Sequence, residues 1–280
     1  MNMEITPQSL RAAVGAQEPI TWIGQLAATR RGKGPAVLCL HAIGHGARDF
    51  ELLAERIGAR FEVIALDWPG QGRSASDGVP ASAVHYETLV AQAMDALGLD
   101  SAILIGNSIG GATALRFAAH NPARVRRLVL CDSGGLFAVP KIGAAVIRRF
   151  AAFFGAGERG RRWFGPVFRF YYKRVLTAPP SYPQRDRIIA SGYEIAAPLR
   201  QAWESFARPE ADIRALAEQI ACPVWFAWAK KDSIIRWKAV APMVPRFRNA
   251  RVTHFEGAHA PFLEDPEHFA RSFEEFAASL

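Results

Sequence analysis

The stretch from Ser101 to His120 sets the tightest limit on how this chain can fold. An apolar run, Ser101 to Ile105, enters Gly106-Asn107-Ser108-Ile109-Gly110 and leaves into an alanine-rich helical pattern. A serine set between a strand and a helix must turn sharply, which forces its backbone into a strained region. The glycines on either side carry no Cβ to collide with that turn. The hydroxyl is thereby held clear of the sheet, beside the unpaired N–H groups that open the helix. Among these, the N–H of Ile109 is placed to receive negative charge developing on a carbonyl oxygen. The same pattern also fits a glycine-rich turn with a capping serine, so further residues must decide.

A serine hydroxyl is a poor nucleophile at neutral pH and needs a histidine oriented by a carboxylate. Both occur downstream. Residues Cys222 to Asp232 read as a buried strand ending in an acid, and Gly257 to Pro266 follow another strand and carry His259. The chain order is Ser108, Asp232, His259. Two further segments accompany it: Asp67-Trp68-Pro69-Gly70-Gln71-Gly72-Arg73-Ser74, and Glu264-Asp265-Pro266 after the histidine. On these motifs the sequence resembles the α/β-hydrolase family, of the capped serine esterase type, over nearly all of the chain outside residues 135 to 215.

The resemblance implies a catalytic triad of Ser108, Asp232 and His259, with an oxyanion hole formed by the N–H groups of Ile43 and Ile109. Ile43 is assigned by matching His41-Ala42 to the family's His-Gly pair. Ala42 departs from that pattern, and its Cβ restricts the backbone there. Asp132, at the end of the run Val125 to Asp132, competes as partner for His259, but chain order and loop position favour Asp232. His41, His45, Trp68 and Asn107 are possible substrate-pocket residues, although His41 fits a loop-fixing role better than an acid or base. His254, inside a strand, reads as structural.

Short apolar strands alternate with helical patterns along the rest of the chain. Residues 20 to 29, 36 to 42, Phe61 to Leu66, Val125 to Asp132 and Ala250 to Phe255 read as strands. Ala47 to Ala59, Ala81 to Leu97 and Pro266 to Leu280 read as helices, with another near Lys238. This alternation predicts an α/β fold with a mostly parallel central sheet and helices on both faces. Ligands gather at the carboxyl ends of such strands, where His41, Asp67, Ser108, Asp132 and Asp232 all fall. From Gly134 the alternation stops. Ile142, Val146, Phe150, Phe153 and Phe154 recur near helical spacing, and Trp163 to Tyr172 is dense in aromatics. The expected organisation is a core of residues 1–134 and 216–280 with a helical cap, 135–215, inserted in it. A cap over the serine would exclude water and shape a pocket, with its aromatics mostly packing on one another.

The formal net charge is +8, and it is not evenly spread. Gly135 to Arg187 holds 11 Lys or Arg against two acids, a local +9, leaving −1 for everything else. A basic excess confined to one segment argues against a nucleic-acid partner. Its arginines admit three readings: a solvated face, recognition of an anionic substrate, and attraction to an anionic membrane surface, in that order. Cys39, Cys131 and Cys222 each lie in apolar runs and read as small buried side chains. No histidine and cysteine cluster has metal-ligand spacing and no nucleotide-binding glycine motif follows a strand, so neither metal nor cofactor is expected. Met1 to Gln25 lack a leader pattern and no run has membrane-spanning length, so a cytoplasmic protein without stable membrane insertion is expected.

The expected reaction is hydrolysis of a small-molecule carboxylic ester through an acyl-enzyme. Serine at 108 sets aside the dehalogenase and epoxide hydrolase branches, which use aspartate there. Asn107 and the basic insertion resemble the branch that hydrolyses a carbon–carbon bond in dienone acids, but Ala260 stands where that branch has tryptophan. A lactonase or thioesterase would use the same residues, and a non-catalytic ligand receptor could keep them.

Overall fold

The computed structural model describes residues 20–139 and 141–278. The expected core before residue 20, most of the segment read for a leader, Pro140 and the last two residues of the final helix lie outside them.

Eight strands form one sheet: β1 Ile20–Ile23, β2 Leu26–Arg31, β3 Ala36–Leu40, β4 Glu62–Leu66, β5 Ala102–Asn107, β6 Val125–Cys131, β7 Val224–Ala229 and β8 Ala250–Phe255. Their order is β1-β2-β4-β3-β5-β6-β7-β8. Strand β2 runs antiparallel to β1 and β4, and every other pairing is parallel. The single strand expected over 20–29 is thus a hairpin. Gly24, at φ 57, turns the chain between Ile23 and Leu26, a conformation that a side chain would strain.

The helices are α1 Glu51–Ile57, α2 Ala83–Ala96, α3 Ile109–His120, α4 Lys141–Glu158, α5 Phe164–Val175, α6 Tyr182–Ala190, α7 Ala196–Phe206, α8 Trp237–Val240, α9 Pro261–Glu264 and α10 Pro266–Ala278. Helix α2 begins at Ser82, whose hydroxyl accepts the N–H of His85 at 3.1 Å. Helix α3 is buried nearly all round because its small alanine and glycine side chains let it lie close on the sheet. Strand β5, buried at all six positions, sits between β3 and β6 at the middle of the sheet.

Helices α4 to α7 leave the sheet after β6 and return before β7. The excursion closes on itself, since the N–H of Ile213 donates to the carbonyl of Gly135 at 3.0 Å. Its interior is aromatic: Phe150 of α4 stacks on Trp203 of α7 at 4.3 Å, and Phe164, Phe168 and Tyr172 line the buried side of α5. The patterns of α4 and α5 are visible in the sequence. Those of α6 and α7 are interrupted by Pro183 and Pro198, which sit in their first turns where a missing N–H is tolerated.

Candidate active site

Ser108 joins β5 to α3 with φ 55 and ψ −116, and with Asp132 it is one of two non-glycine residues at positive φ among those described. Such strain costs about 1–3 kcal/mol. The buried side chains of Ile103, Leu104 and Ile105 in β5, worth roughly 1.5–3 kcal/mol each, outweigh it. A Cβ on Gly106 would stand 2.3 Å from the carbonyl oxygen of Gly110, and one on Gly110 would stand 2.2 Å from that of Leu40. Only glycine fits at either position. The elbow is tied to the next strand, with the N–H of Ser108 donating to the carbonyl of Cys131 at 3.0 Å. Ile109 is the first residue of α3, so its N–H has no acceptor within the helix.

Asp232 lies three residues beyond β7, where its Oδ1 accepts the N–H groups of Ile234 at 2.7 Å and Ile235 at 2.9 Å. These bonds aim Oδ2 at His259, whose Nδ1 donates to it across 2.9 Å. The carboxylate fixes the proton on Nδ1 and leaves Nε2 with a lone pair, the form a general base needs. Ser108, Asp232 and His259 are all buried. Asn107 connects them: its Nδ2 donates to the carbonyl of His259 at 2.9 Å and to that of Cys131 at 3.0 Å. The residue before the serine therefore clasps the backbone of the histidine. Expected as a pocket residue, Asn107 is instead a fully buried tie between two loops.

Asp132 is not the partner of His259. It is fully buried, its Oδ1 accepts the N–H of Ala229 at 2.9 Å, and its Oδ2 has no hydrogen-bonding partner of its own. Ligand atoms of Asp132, Asp232 and His259 lie within 4.8 Å of one another. Burial first, and then the charge of Asp232, hold the Asp132 carboxyl well above the usual carboxylate range. The buried Asp132 carboxyl therefore favours its neutral form more than an ordinary aspartate does.

The other possible pocket residues are engaged within the fold, and His41 has the loop-fixing role that its sequence favours. His41 and Trp68, foreseen as pocket residues, are fully buried and occupied with each other. His41 Nε2 accepts the Trp68 N–H at 3.0 Å, Trp68 Nε1 donates to the His41 carbonyl at 2.9 Å, and His41 Nδ1 donates to the Ala42 carbonyl at 2.6 Å. Burial lowers the basicity of His41, in keeping with a neutral ring that locks the loop. His45, a possible pocket residue from the sequence, is buried against the Tyr172 ring with Nδ1 on the carboxylate of Asp49. Ala42 costs the loop nothing, because the left-handed residue is Gly44, at φ 79. The Gly44 N–H donates to Gln71 Oε1 at 2.6 Å, which anchors the backbone immediately after Ile43.

Glu264 is the residue that sequence reasoning undervalued. It reads as part of a helix start, yet it is buried and its two oxygens collect backbone N–H groups from two directions. Oε2 accepts those of Ala258 at 2.7 Å and His259 at 2.9 Å, and Oε1 accepts those of Thr177 at 2.6 Å and Ala178 at 3.1 Å. It holds the histidine loop and the link between α5 and α6 at once. The available signal was an acid flanked by apolar Phe262 and Leu263, five residues after the histidine.

Known proteins agree with this architecture. A pimeloyl-[acyl-carrier protein] methyl ester esterase of Chromobacterium violaceum is 28% identical over 256 residues, covering 87% of this chain and 94% of the relative. A 2-hydroxy-6-oxo-6-phenylhexa-2,4-dienoate hydrolase of Comamonas testosteroni is 39% identical over 110 residues, 38% of either chain. A thermophilic esterase from Thermogutta terrifontis superposes with TM-score 0.75 at 21% identity, over 90% of this chain and 92% of that one, a likeness of fold. The profile of the family described as alpha/beta hydrolase fold matches residues 35–266, and with the parallel sheet and the strand-to-helix turn at Ser108 in place, the chain belongs to that family.

Proposed function

We propose that the protein is a serine hydrolase of carboxylic esters, working through an acyl-enzyme. The observation that carries this reading is the buried Asp232 carboxylate on Nδ1 of His259, held by Asn107 to the strained serine turn. His259 Nε2 takes the proton of Ser108 as its oxygen attacks the ester carbonyl, and Asp232 stabilises the imidazolium that results. The N–H groups of Ile43 and Ile109 receive the oxyanion, and collapse of the tetrahedral intermediate expels the alcohol with the proton from His259. Water activated by the same histidine then releases the acid and restores Ser108. Helices α4 to α7 act as the cap. The methyl ester esterase relative supports an ester substrate because it spans the same length of chain.

The test is hydrolysis of nitrophenyl esters of increasing acyl length by the native protein and by Ser108→Ala. A loss of at least about a thousandfold in the variant is expected for a triad nucleophile. Equal rates on every ester would overturn the reading. A second reading, carbon–carbon hydrolysis of a dienone acid, is favoured by the 39% match to the dienoate hydrolase and uses the same serine. Turnover of a dienone acid with no turnover of esters would select it.

A further inference from the structure

We propose that the outer face of α5 is a docking surface for an anionic lipid bilayer. The helix is two-sided. Phe164, Phe168, Tyr172 and Val175 are buried in the insertion, whereas Trp163 at its N-terminus is 53% exposed, Val167 44% and Phe170 58%. Residues 163, 167 and 170 follow helical spacing, so they form one outward ridge about 10 Å long. Arg174 continues the ridge, its guanidinium 3.4 Å from the centroid of the Phe170 ring. Arg161, Arg162, Arg169 and Lys173 flank it, all exposed. From Arg159 to Arg185 the chain carries seven basic residues and no acid. Among the described residues, the ion pairs of that stretch reduce to Arg185 with its neighbour Asp186.

A solvated basic face accounts for the arginines but not for large rings left half in water. Acidic headgroups account for both. Rings settle at headgroup depth, while arginine and lysine lay their aliphatic stems beside them and keep their charges at the phosphates. A second copy of the chain is a poor occupant, since two such faces would meet positive charge on positive charge. A convex ridge one helix wide also suits a surface that yields around it better than a rigid partner. Tyr172 on the opposite side of α5 touches the His45 loop, so docking places the serine region about one helix diameter from the headgroups.

The experiment is sedimentation of the full chain with phosphatidylcholine vesicles, with and without phosphatidylglycerol, and needs no turnover. The native protein is expected to bind the anionic vesicles alone and to leave them as salt is raised. Trp163→Ala/Phe170→Ala should lower the partition about tenfold or more. Arg169→Glu/Lys173→Glu should lower it at least about 25-fold. Both pairs lie on the surface, and unchanged circular dichroism and unchanged hydrolysis of a soluble ester would show that the fold is kept. Three results would overturn the proposal: no preference for anionic over zwitterionic vesicles, binding indifferent to the loss of both rings, or binding of an acidic protein in place of vesicles.

Discussion

Two aspartates approach one histidine, and their surroundings give them different roles. Burial favours the neutral form of Asp132, and asparagine at 132 is a neutral isostere whose Oδ1 can still accept the Ala229 N–H. Asp132→Asn is therefore expected to keep kcat on esters within about threefold, while Asp132→Ala, which strands the buried Ala229 N–H beside the Asp232 loop, loses tenfold or more. Thermal melts add a pH signature. In the native protein Asp132 holds a proton that the unfolded chain gives up, so stability falls as pH rises above the ordinary aspartate range. Asp132→Asn lacks this penalty, so its melting temperature should gain on the native protein as pH is raised from 4 toward 7, as roughly an acid-to-neutral span. An unchanging difference across that span would contradict a protonated Asp132. The proposed triad of Ser108, Asp232 and His259 can be read from the sequence because its chemistry dictates residue type and the resemblance to the family supplies the chain order. The work of Asp132 and Glu264 cannot, because a buried carboxylate takes its role from the groups that folding brings to it from elsewhere in the chain.

Among the elements, the loop between β8 and α9 depends most on a single side chain. Glu264 accepts backbone N–H groups from both sides of the molecule, and removing it strands those donors in a buried place. Glu264→Ala is expected to destabilise the fold by about 3 kcal/mol or more in urea denaturation. The surviving protein should lose kcat more than it raises KM, since the His259 backbone is among the bonds released. A second element prediction concerns the loop after β3. A Cβ on Gly44 would come within 2.8 Å of the Tyr172 hydroxyl oxygen and would sit at φ 79. Gly44→Ala should therefore cut ester turnover at least about tenfold by displacing Ile43, with the melting temperature lowered only modestly. Most strands and core helices are legible because each is a bounded apolar run with one period. The hairpin of β1 and β2 is not, since the two-residue break Gly24-Gln25 is short enough for residues 20 to 29 to read as one strand. Helices α6 and α7 escape for the reason that their prolines resemble breakers while serving as first-turn residues.

At the scale of the molecule, charge and architecture divide along one line. The sheet and its helices are close to neutral, whereas the helices between β6 and β7 carry nearly all of the positive excess. No helix among the described residues is long and apolar enough to cross a membrane. The segment bearing that charge leaves and rejoins the sheet at adjacent points, Gly135 and Ile213, joined by a hydrogen bond. Such a junction makes the insertion exchangeable. A foreign segment of any length can begin and end there without lengthening a loop of the sheet, so selectivity can change by recombination while the serine, acid and histidine stay where they are. The graft has one obligation: two backbone donors for Glu264, without which the histidine loop would inherit the mismatch.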